Sequence, residues 1–353
     1  MSTKPDVLQP QKRRSAHKLF TLGLAAALWI AVILLACGLG AVSIPPATVA
    51  GIIARQLGLP ITPTWPATYE LILLQIRLPR VVLGSLVGAA LALAGATFQG
   101  MVRNPLAGPY VLGISGGASL GAVLAMALGV SNVAGFINPV PFFAFLGAVG
   151  TLALVIVLGT HNGRLPTVTL LLAGTAAGSF FSSAVSIIVL LSGERMGSIL
   201  FWLMGGLTGA SWQGVLTICP YLLLATGAIL FNARSLNAMA FGDEAAGYLG
   251  VEVERVKRTL LVAASLLAAA AVAVSGVIAF VGLVIPHMVR LIKGPDHRGL
   301  LPLSFLLGAS FLVLADTLAR TIIAPQELPV GAITALCGAP LFIYILRRQR
   351  HSF

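Results

Sequence analysis

The sequence predicts an all-α integral membrane protein with about ten transmembrane helices and both termini in the cytoplasm. Of its 353 residues, 58% are hydrophobic and only 9% are charged, whereas a soluble domain carries roughly 25% charged residues. Apolar stretches long enough to cross a hydrocarbon core of ~30 Å recur through the whole length. The 39 glycines include four-residue spacings at 84–88, 117–121 and 174–178, which favour close helix contacts.

The first helix follows a polar, basic stretch at residues 1–18, which we interpret as a cytoplasmic tail. We expect this helix at about 19–42, as the start of a single transmembrane domain that extends from residue 19 to 348. Its apolar run is too long for a signal peptide. The small residues Ala36–Gly38 could mimic a cleavage site, but we favour an uncleaved helix.

Apolar runs separated by polar or proline-containing breaks predict the later elements. An external segment with five prolines is expected at 43–76, with one short interfacial helix near 49–57. Glycines interrupt the apolar stretch 193–212, which favours a re-entrant or surface-lying segment on the outer side. The remaining helices are predicted at about 78–101, 109–128, 141–158, 167–191, 215–231, 259–280, 283–292, 301–319 and 330–346.

The charges agree with an even number of crossings. Most of the 22 Lys and Arg residues fall on the cytoplasmic side of this arrangement, as the positive-inside rule requires. The same bias explains the net charge of +12, and the basic residues form no cluster with aromatic ones, so we expect no nucleic-acid partner. The basic residues that remain outside are Arg55, Arg77, Arg80, Arg195 and Arg320.

Several kinds of chemistry have no motif in this chain. The phosphate-binding pattern GxxxxGK[ST] is absent, so any ATP would be hydrolysed by a separate subunit. No pair of histidines has metal-ligand spacing, and the three cysteines lie singly in apolar segments. No Ser-His-Asp or paired-carboxylate pattern is present, so we expect neither a metal site nor an enzyme.

Asp316 is the only acid predicted well inside a crossing, and Arg320 follows it by one helical turn. Intramembrane carboxylates are typical of ion-coupled secondary transporters, and that class is the alternative function. Because an acid and a base at positions i and i+4 stabilise each other, we favour a structural or docking role for Asp316 over ion coupling.

Three linked blocks follow the external segment. They are RLPR at 77–80, QGMVRNPLAGP at 99–109 and LGISGGASLG at 112–121. In this order and spacing they resemble the permease subunit of ABC importers for iron chelates, haem and vitamin B12. The pattern GDEAAxxLGV at 242–251 and the C-terminal third, 275–348, are similar to the same family, so the resemblance covers about 19–348.

The resemblance implies the transmembrane subunit of an ATP-driven importer in the bacterial cytoplasmic membrane. Two copies are expected to form a homodimer around one pathway. Two ATP-binding cassette subunits would bind ATP and Mg, and a periplasmic or lipid-tethered binding protein would deliver the cargo. This chain itself is expected to bind no cofactor. An iron(III)-siderophore is the favoured cargo because it is the commonest in the family, with haem and cobalamin close behind.

The resemblance also assigns residue roles near both membrane surfaces. In the vitamin B12 permease, glutamates of the binding protein pair with arginines that match Arg77, Arg80 and Arg320. The alternative for Arg77 and Arg80 is to anchor the chain in lipid headgroups. The family's cytoplasmic gate maps onto Asn104, Pro105, Leu106, Thr167 and Val168. Val168 departs from the Thr-Ser of the vitamin B12 permease and makes this gate more apolar.

The polar break at residues 233–258, called here the 233–258 segment, is predicted to form two short helices separated at Gly242. Acidic residues begin the second helix, where they suit the helix dipole, and Gly250 would end it. In the family this block inserts into a cleft of the ATPase and transmits its motion; the alternative is an ordinary solvated loop. The residues assigned to coupling are Ala238, Phe241, Gly242, Asp243, Glu244, Ala245, Ala246 and Leu249.

Overall fold

All named secondary structure is helical in the computed structural model, which describes residues 9–40, 42–130 and 138–350. The α-helices in these ranges are α1 (Gln9–Gly38), α2 (Pro46–Gln56), α3 (Ala67–Leu71), α4 (Leu78–Val102), α5 (Ile114–Ala127), α6 (Pro139–Gly159), α7 (Thr167–Leu191), α8 (Met196–Leu203), α9 (Trp212–Phe231), α10 (Ala233–Met239), α11 (Asp243–Tyr248), α12 (Val253–Ser275), α13 (Val281–Lys293), α14 (His297–Thr321) and α15 (Val330–Arg350). A π-helical turn, Ile72–Arg77, joins α3 to α4. Tighter 3-10 turns occupy Pro109–Leu112 and Gly193–Arg195. The all-α class is confirmed for this part of the chain.

Seven helical runs among the described residues are long and apolar enough to cross a membrane. They are Leu19–Gly38, Ala67–Val102, Pro139–Gly159, Thr167–Leu191, Trp212–Phe231, Val253–Ser275 and His297–Thr321. Two shorter apolar helices are Ile114–Ala127 and Val330–Tyr344. Ten crossings would require α5, α13 and α15 to cross as well, so that number and the cytoplasmic termini stay predictions.

Helix α4 lies at the centre of the fold, packed against α9, α12, α13 and α14. Its small residues let the neighbouring backbones approach closely. A Cβ on Gly88 would overlap the backbone of Gly308 in α14, and one on Gly95 would overlap the backbone of Gly282 in α13. The predicted role of glycine spacing in close packing is therefore confirmed at Gly88.

Several helix boundaries differ from the sequence-based expectation. The helix predicted at 109–128 is a 3-10 turn followed by α5, because Gly113 adopts φ +70 between them. Helix α1 begins at Gln9, inside the predicted tail, and ends at Gly38; the first eight residues of that tail lie outside the described chain. Helix α12 ends at Ser275 instead of near residue 280, because Gly276 adopts φ +65 and ψ −164. A Cβ on Gly276 would overlap the carbonyl oxygen of Trp202, so the break is set by a close approach of two segments.

The predicted external segment contains more helix than expected. Helix α2 confirms the short helix near 49–57, but α3 and the π-helical turn make residues 67–77 helical and continuous with α4. The Glu70 carboxylate accepts hydrogen bonds from Arg55 Nη1 at 2.7 Å and Trp65 Nε1 at 3.0 Å. These bonds fasten the start of the central helical run to α2. The stretch 193–212 holds a 3-10 turn and the eight-residue α8, which is too short to cross alone.

Candidate functional site

Two of the three predicted docking arginines are buried against the end of α1. The Arg77 side chain donates through Nη1 to the carbonyl oxygens of Cys37 at 2.8 Å and Gly38 at 3.0 Å, and through Nη2 to that of Val42. Arg320 Nη2 donates to the carbonyl oxygen of Ala36. The last carbonyls of a helix have no partner within that helix. The two guanidinium groups supply partners here.

The third arginine, Arg80, binds two carboxylates. Its Nη2 and Nε lie 2.8 Å and 3.0 Å from the two oxygens of Asp316, and its Nη1 lies 2.9 Å from Glu327 Oε1. Such a planar fork holds carboxylates more strongly than neutral hydrogen bonds would. The predicted Asp316–Arg320 pair is also present, with Arg320 Nε at 3.7 Å from Asp316 Oδ2. Sequence reasoning missed Arg80 as the main partner of Asp316, and Glu327 altogether.

The structure places Arg77, Arg80 and Arg320 together at one end of the helical bundle and turns their charged groups inward. Arg77 is 5% exposed and Arg320 is 8% exposed, which argues against anchoring of Arg77 in lipid headgroups. Their role in docking a binding protein stays a prediction. A glutamate of such a protein would have to compete with the carbonyl oxygens that already bind them.

The first half of the predicted gate is a tight turn at the end of α4. Arg103 caps α4 in the left-handed conformation, with φ +56 and ψ +34. The Asn104 side chain then accepts a hydrogen bond from the backbone N–H of Leu106 at 2.9 Å, and the Ala107 N–H donates to the Asn104 carbonyl at 3.1 Å. These bonds fix the turn at residues 104–107, which contains Pro105, and leave the Leu106 side chain 43% exposed.

The second half of the gate is the start of α7. Thr167 is partly buried, and Val168 is 69% exposed. Helix α7 packs on the Pro109–Leu112 turn, where a Cβ on Gly174 would come within 2.6 Å of Leu112 Cα. The chain that follows the first half of the gate therefore contacts the helix that begins with the second half.

The 233–258 segment has the two-helix form that the sequence predicts. Helices α10 and α11 are separated at Gly242, which adopts φ +112. Asp243 and Glu244 lie in the first turn of α11 as expected, whereas Ala246 is fully buried. Three large apolar or aromatic side chains of the segment are exposed: Phe241 at 81%, Leu249 at 69% and Tyr248 at 92%. A group of exposed apolar side chains is typical of a surface that binds another protein.

Polar side chains fasten this segment to the helical bundle. Asn237 in α10 donates through Nδ2 to Asp296 Oδ1 at 2.8 Å, and its Oδ1 accepts from the backbone N–H of His297 at 2.8 Å. Asp243 forms an ion pair with the buried Lys257 of α12. Sequence reasoning singled out Asp243 but none of these partners. The cluster of basic residues after Gly250 was the signal that could have found Lys257.

Among the residues whose side chains the structure describes, no group of three or more His, Cys, Asp or Glu is arranged to hold a metal ion. The polar side chains described above form ion pairs with each other and hydrogen bonds to carbonyl oxygens at the end of α1.

Comparison with known proteins identifies the family. The model of the FecCD transport family matches residues 28–348. The chain belongs to the FecCD transport family. The Bacillus subtilis ABC transporter permease protein YvrB, whose name describes it as uncharacterized, is 49% identical over 80% of this chain and 81% of its own. The Halobacterium salinarum cobalamin import system permease protein BtuC is 47% identical over 80% of this chain and 75% of its own.

A solved structure supports the same assignment for a FecCD protein. It is described as an inward-facing conformation of a transporter assigned to the metal-chelate type of ABC transporter. It superposes with a TM-score of 0.81 and 30% identity over 93% of this chain and 99% of its own. Other relatives are named as permeases for hemin, Fe(3+)-citrate and iron(3+)-hydroxamate. The resemblance inferred from the sequence motifs is confirmed.

Proposed function

We propose that this FecCD protein is the transmembrane subunit of an ATP-driven importer that moves a metal chelate across the bacterial cytoplasmic membrane. The observation that carries the proposal is the 233–258 segment, a folded pair of helices that exposes Phe241, Tyr248 and Leu249. The chain has no phosphate-binding motif of its own. An exposed apolar surface on a chain without the GxxxxGK[ST] pattern suits docking of a separate ATPase.

Helix α7 supports a pathway between two copies of the chain. Only 17% of its most apolar stretch is buried, and its exposed surface combines Phe180 and Ile187 with hydroxyl groups. The hydroxyls of Thr175, Ser183 and Ser186 donate to carbonyls of α7 itself, so they are already satisfied. A surface of low polarity without fixed ligands suits a bulky chelate, and a homodimer would enclose it.

The cargo is proposed at the level of a metal chelate. An iron(III)-siderophore is favoured from its frequency in the family, whereas the relative BtuC is named for cobalamin and HmuU from Yersinia pestis for hemin. Each of these three cargoes belongs in the uptake assay. The binding protein that delivers the cargo would dock at the end that carries Arg77, Arg80 and Arg320.

The alternative, an ion-coupled secondary transporter, would use Asp316 as the coupling carboxylate. In the structure Asp316 is 2% exposed and is held by Arg80 and Arg320. A coupling ion would have to displace these two cationic partners from the carboxylate. This arrangement supports the structural role.

The experiment is uptake by the permease reconstituted in liposomes with its ATPase and binding protein. Ferric siderophores, haem and cobalamin are supplied in turn, with and without ATP. We expect ATP-dependent uptake of one chelate class, and its loss when the phosphate-binding lysine of the ATPase is replaced. Uptake that continues without ATP and stops when the ion gradient is removed would refute the proposal.

A further inference from the structure

The 233–258 segment is joined to both halves of the predicted gate, and the two connections differ in kind. On one side, the start of α12 holds the turn that leads into α7. Glu254 Oε2 accepts from the backbone N–H of Leu165 at 2.9 Å, and Arg258 Nη2 donates to the Gly163 carbonyl at 2.5 Å. Both bonds are made with the backbone just before Thr167, so α12 and the start of α7 are linked directly.

On the other side, the connection to the end of α4 is an ion pair without a hydrogen bond. Asp243 Oδ1 lies 3.6 Å from Arg103 Nη2, beyond hydrogen-bond distance. Within the described chain this oxygen is buried and has no hydrogen-bond donor. The other carboxylate oxygen is held by Lys257, whose side chain is 6% exposed. Asp243 is thus anchored to α12 and has one oxygen free to bind Arg103 after a small displacement.

The position of Arg103 makes such a displacement effective. Its left-handed backbone is a conformation that favours glycine at the end of a helix, yet the chain has an arginine there. Asn104, Pro105 and Leu106 follow directly in a turn fixed by its own hydrogen bonds. Gly242 lies beneath the guanidinium, since a Cβ built on it would be 3.4 Å from Arg103 Nη1. A movement of α11 would therefore displace the Arg103 side chain and, through the turn that follows it, Leu106.

We propose that Arg103 is a positioning residue whose ion pair with Asp243 opens and closes during transport and moves the Asn104–Leu106 turn relative to the start of α7. The proposal rests on the function proposed above, with the 233–258 segment as the site that the ATPase moves. Glu254 and Arg258 keep the α7 side of the gate attached to α12. The Arg103–Asp243 contact is the side that changes.

The variant that tests this is Arg103→Gln, which removes the charge but keeps a polar, shorter side chain. Asp243→Asn is unsuitable because it would leave the buried Lys257 ammonium without its counter-ion and could unfold the segment. Arg103 and Asp243 side chains are 42% and 37% exposed, so loss of their pair alone has little effect on stability. Arg103→Lys restores the charge and serves as the rescue.

A matched control is Arg255→Gln. Arg255 pairs with Glu252 at 3.3 Å within the same segment, and both side chains are mostly exposed. That pair joins residues three apart in sequence and touches neither half of the gate. Any general effect of removing a positive charge from this surface appears equally in the control.

The measurement is chelate taken up per ATP hydrolysed in the reconstituted complex, together with ATPase binding to the permease. We expect Arg103→Gln to lower uptake per ATP by about fivefold or more while ATP hydrolysis and ATPase binding persist. Arg103→Lys should recover most of the loss, and Arg255→Gln should stay within about twofold of the unmodified protein.

The inference about Arg103 is overturned if Arg103→Gln keeps its uptake per ATP, if Arg103→Lys fails to recover it, or if Arg255→Gln lowers it equally. It is also overturned if Arg103→Gln releases the ATPase, because the residue would then act in docking. A failure of the proposed function is distinct: the unmodified complex itself would then show no ATP-dependent uptake.

Discussion

Replacement of Asp316 by asparagine is the most direct test of the ion-pair cluster at the end of α1, α4 and α14. The Asp316 side chain is 3% exposed and binds Arg80 Nη2 at 2.8 Å and Nε at 3.0 Å. The asparagine side chain would keep the shape and one acceptor oxygen but would remove the negative charge. Arg80 would then rely on Glu327, whose side chain is 32% exposed.

The expected loss follows from this burial. Removing one partner of a buried ion pair costs about 3–5 kcal/mol, because the other charge is left without compensation. Since Arg80 retains Glu327 and Arg320 retains the Ala36 carbonyl, we expect the lower end of that range, about 3 kcal/mol. By contrast, the Arg55–Glu70 pair is 44% and 28% exposed, and loss of such a surface pair costs at most about 1 kcal/mol.

The assay is the free energy of unfolding by denaturant of the purified permease in detergent, for Asp316→Asn and for Arg55→Gln as the matched control. The reasoning is refuted if the two variants lose the same stability. An Asp316→Asn protein that keeps its stability but loses uptake would instead favour the ion-coupled alternative, in which this carboxylate exchanges a proton.

Two further predictions concern helix packing and ATPase docking. Gly95→Ala should lower the free energy of unfolding by about 1–3 kcal/mol, because the added Cβ would overlap the backbone of Gly282. The control in the same denaturation assay is Gly150→Ala, since a Cβ at that position meets nothing within 4 Å. Phe241→Ser should weaken ATPase binding about tenfold or more without loss of permease stability, as measured by co-purification over a range of ATPase concentrations. Phe231→Ser, at an 89% exposed position outside the segment, should leave binding unchanged, and equal weakening by both variants would contradict the assignment.

The bounds of a helix could be predicted from the sequence where they depend only on residues within or next to that helix. Apolar length located the helix at 167–191 to the residue, and Gly242 marked the break between α10 and α11 because few other residues adopt its positive φ. The end of α12 was not predictable in this way. The apolar run continues past Ser275, and the break comes from the contact of Gly276 with Trp202, two segments far apart in sequence.

The candidate site shows the same division. Motif blocks located the gate turn and the 233–258 segment, and helix periodicity found the Asp316–Arg320 pair. The Arg80–Asp316 pair joins residues 236 apart in sequence and depends on how α4 packs against α14. The carbonyl acceptors of Arg77 could not be predicted either, since main-chain groups leave no signature in a sequence.

The carbonyl acceptors of Arg77 and Arg320 determine which substitutions the end of α1 tolerates. The acceptors at Ala36, Cys37 and Gly38 are carbonyl oxygens, which every amino acid provides. Substitutions at these positions therefore cannot delete the acceptors, although Ala36 and Cys37 are fully buried and limit the volume that fits. The side chains that attach α1 to the bundle are those of Arg77 and Arg320. The residues at the end of α1 can therefore vary without loss of these hydrogen bonds, as long as their volume fits, whereas Arg77 and Arg320 cannot.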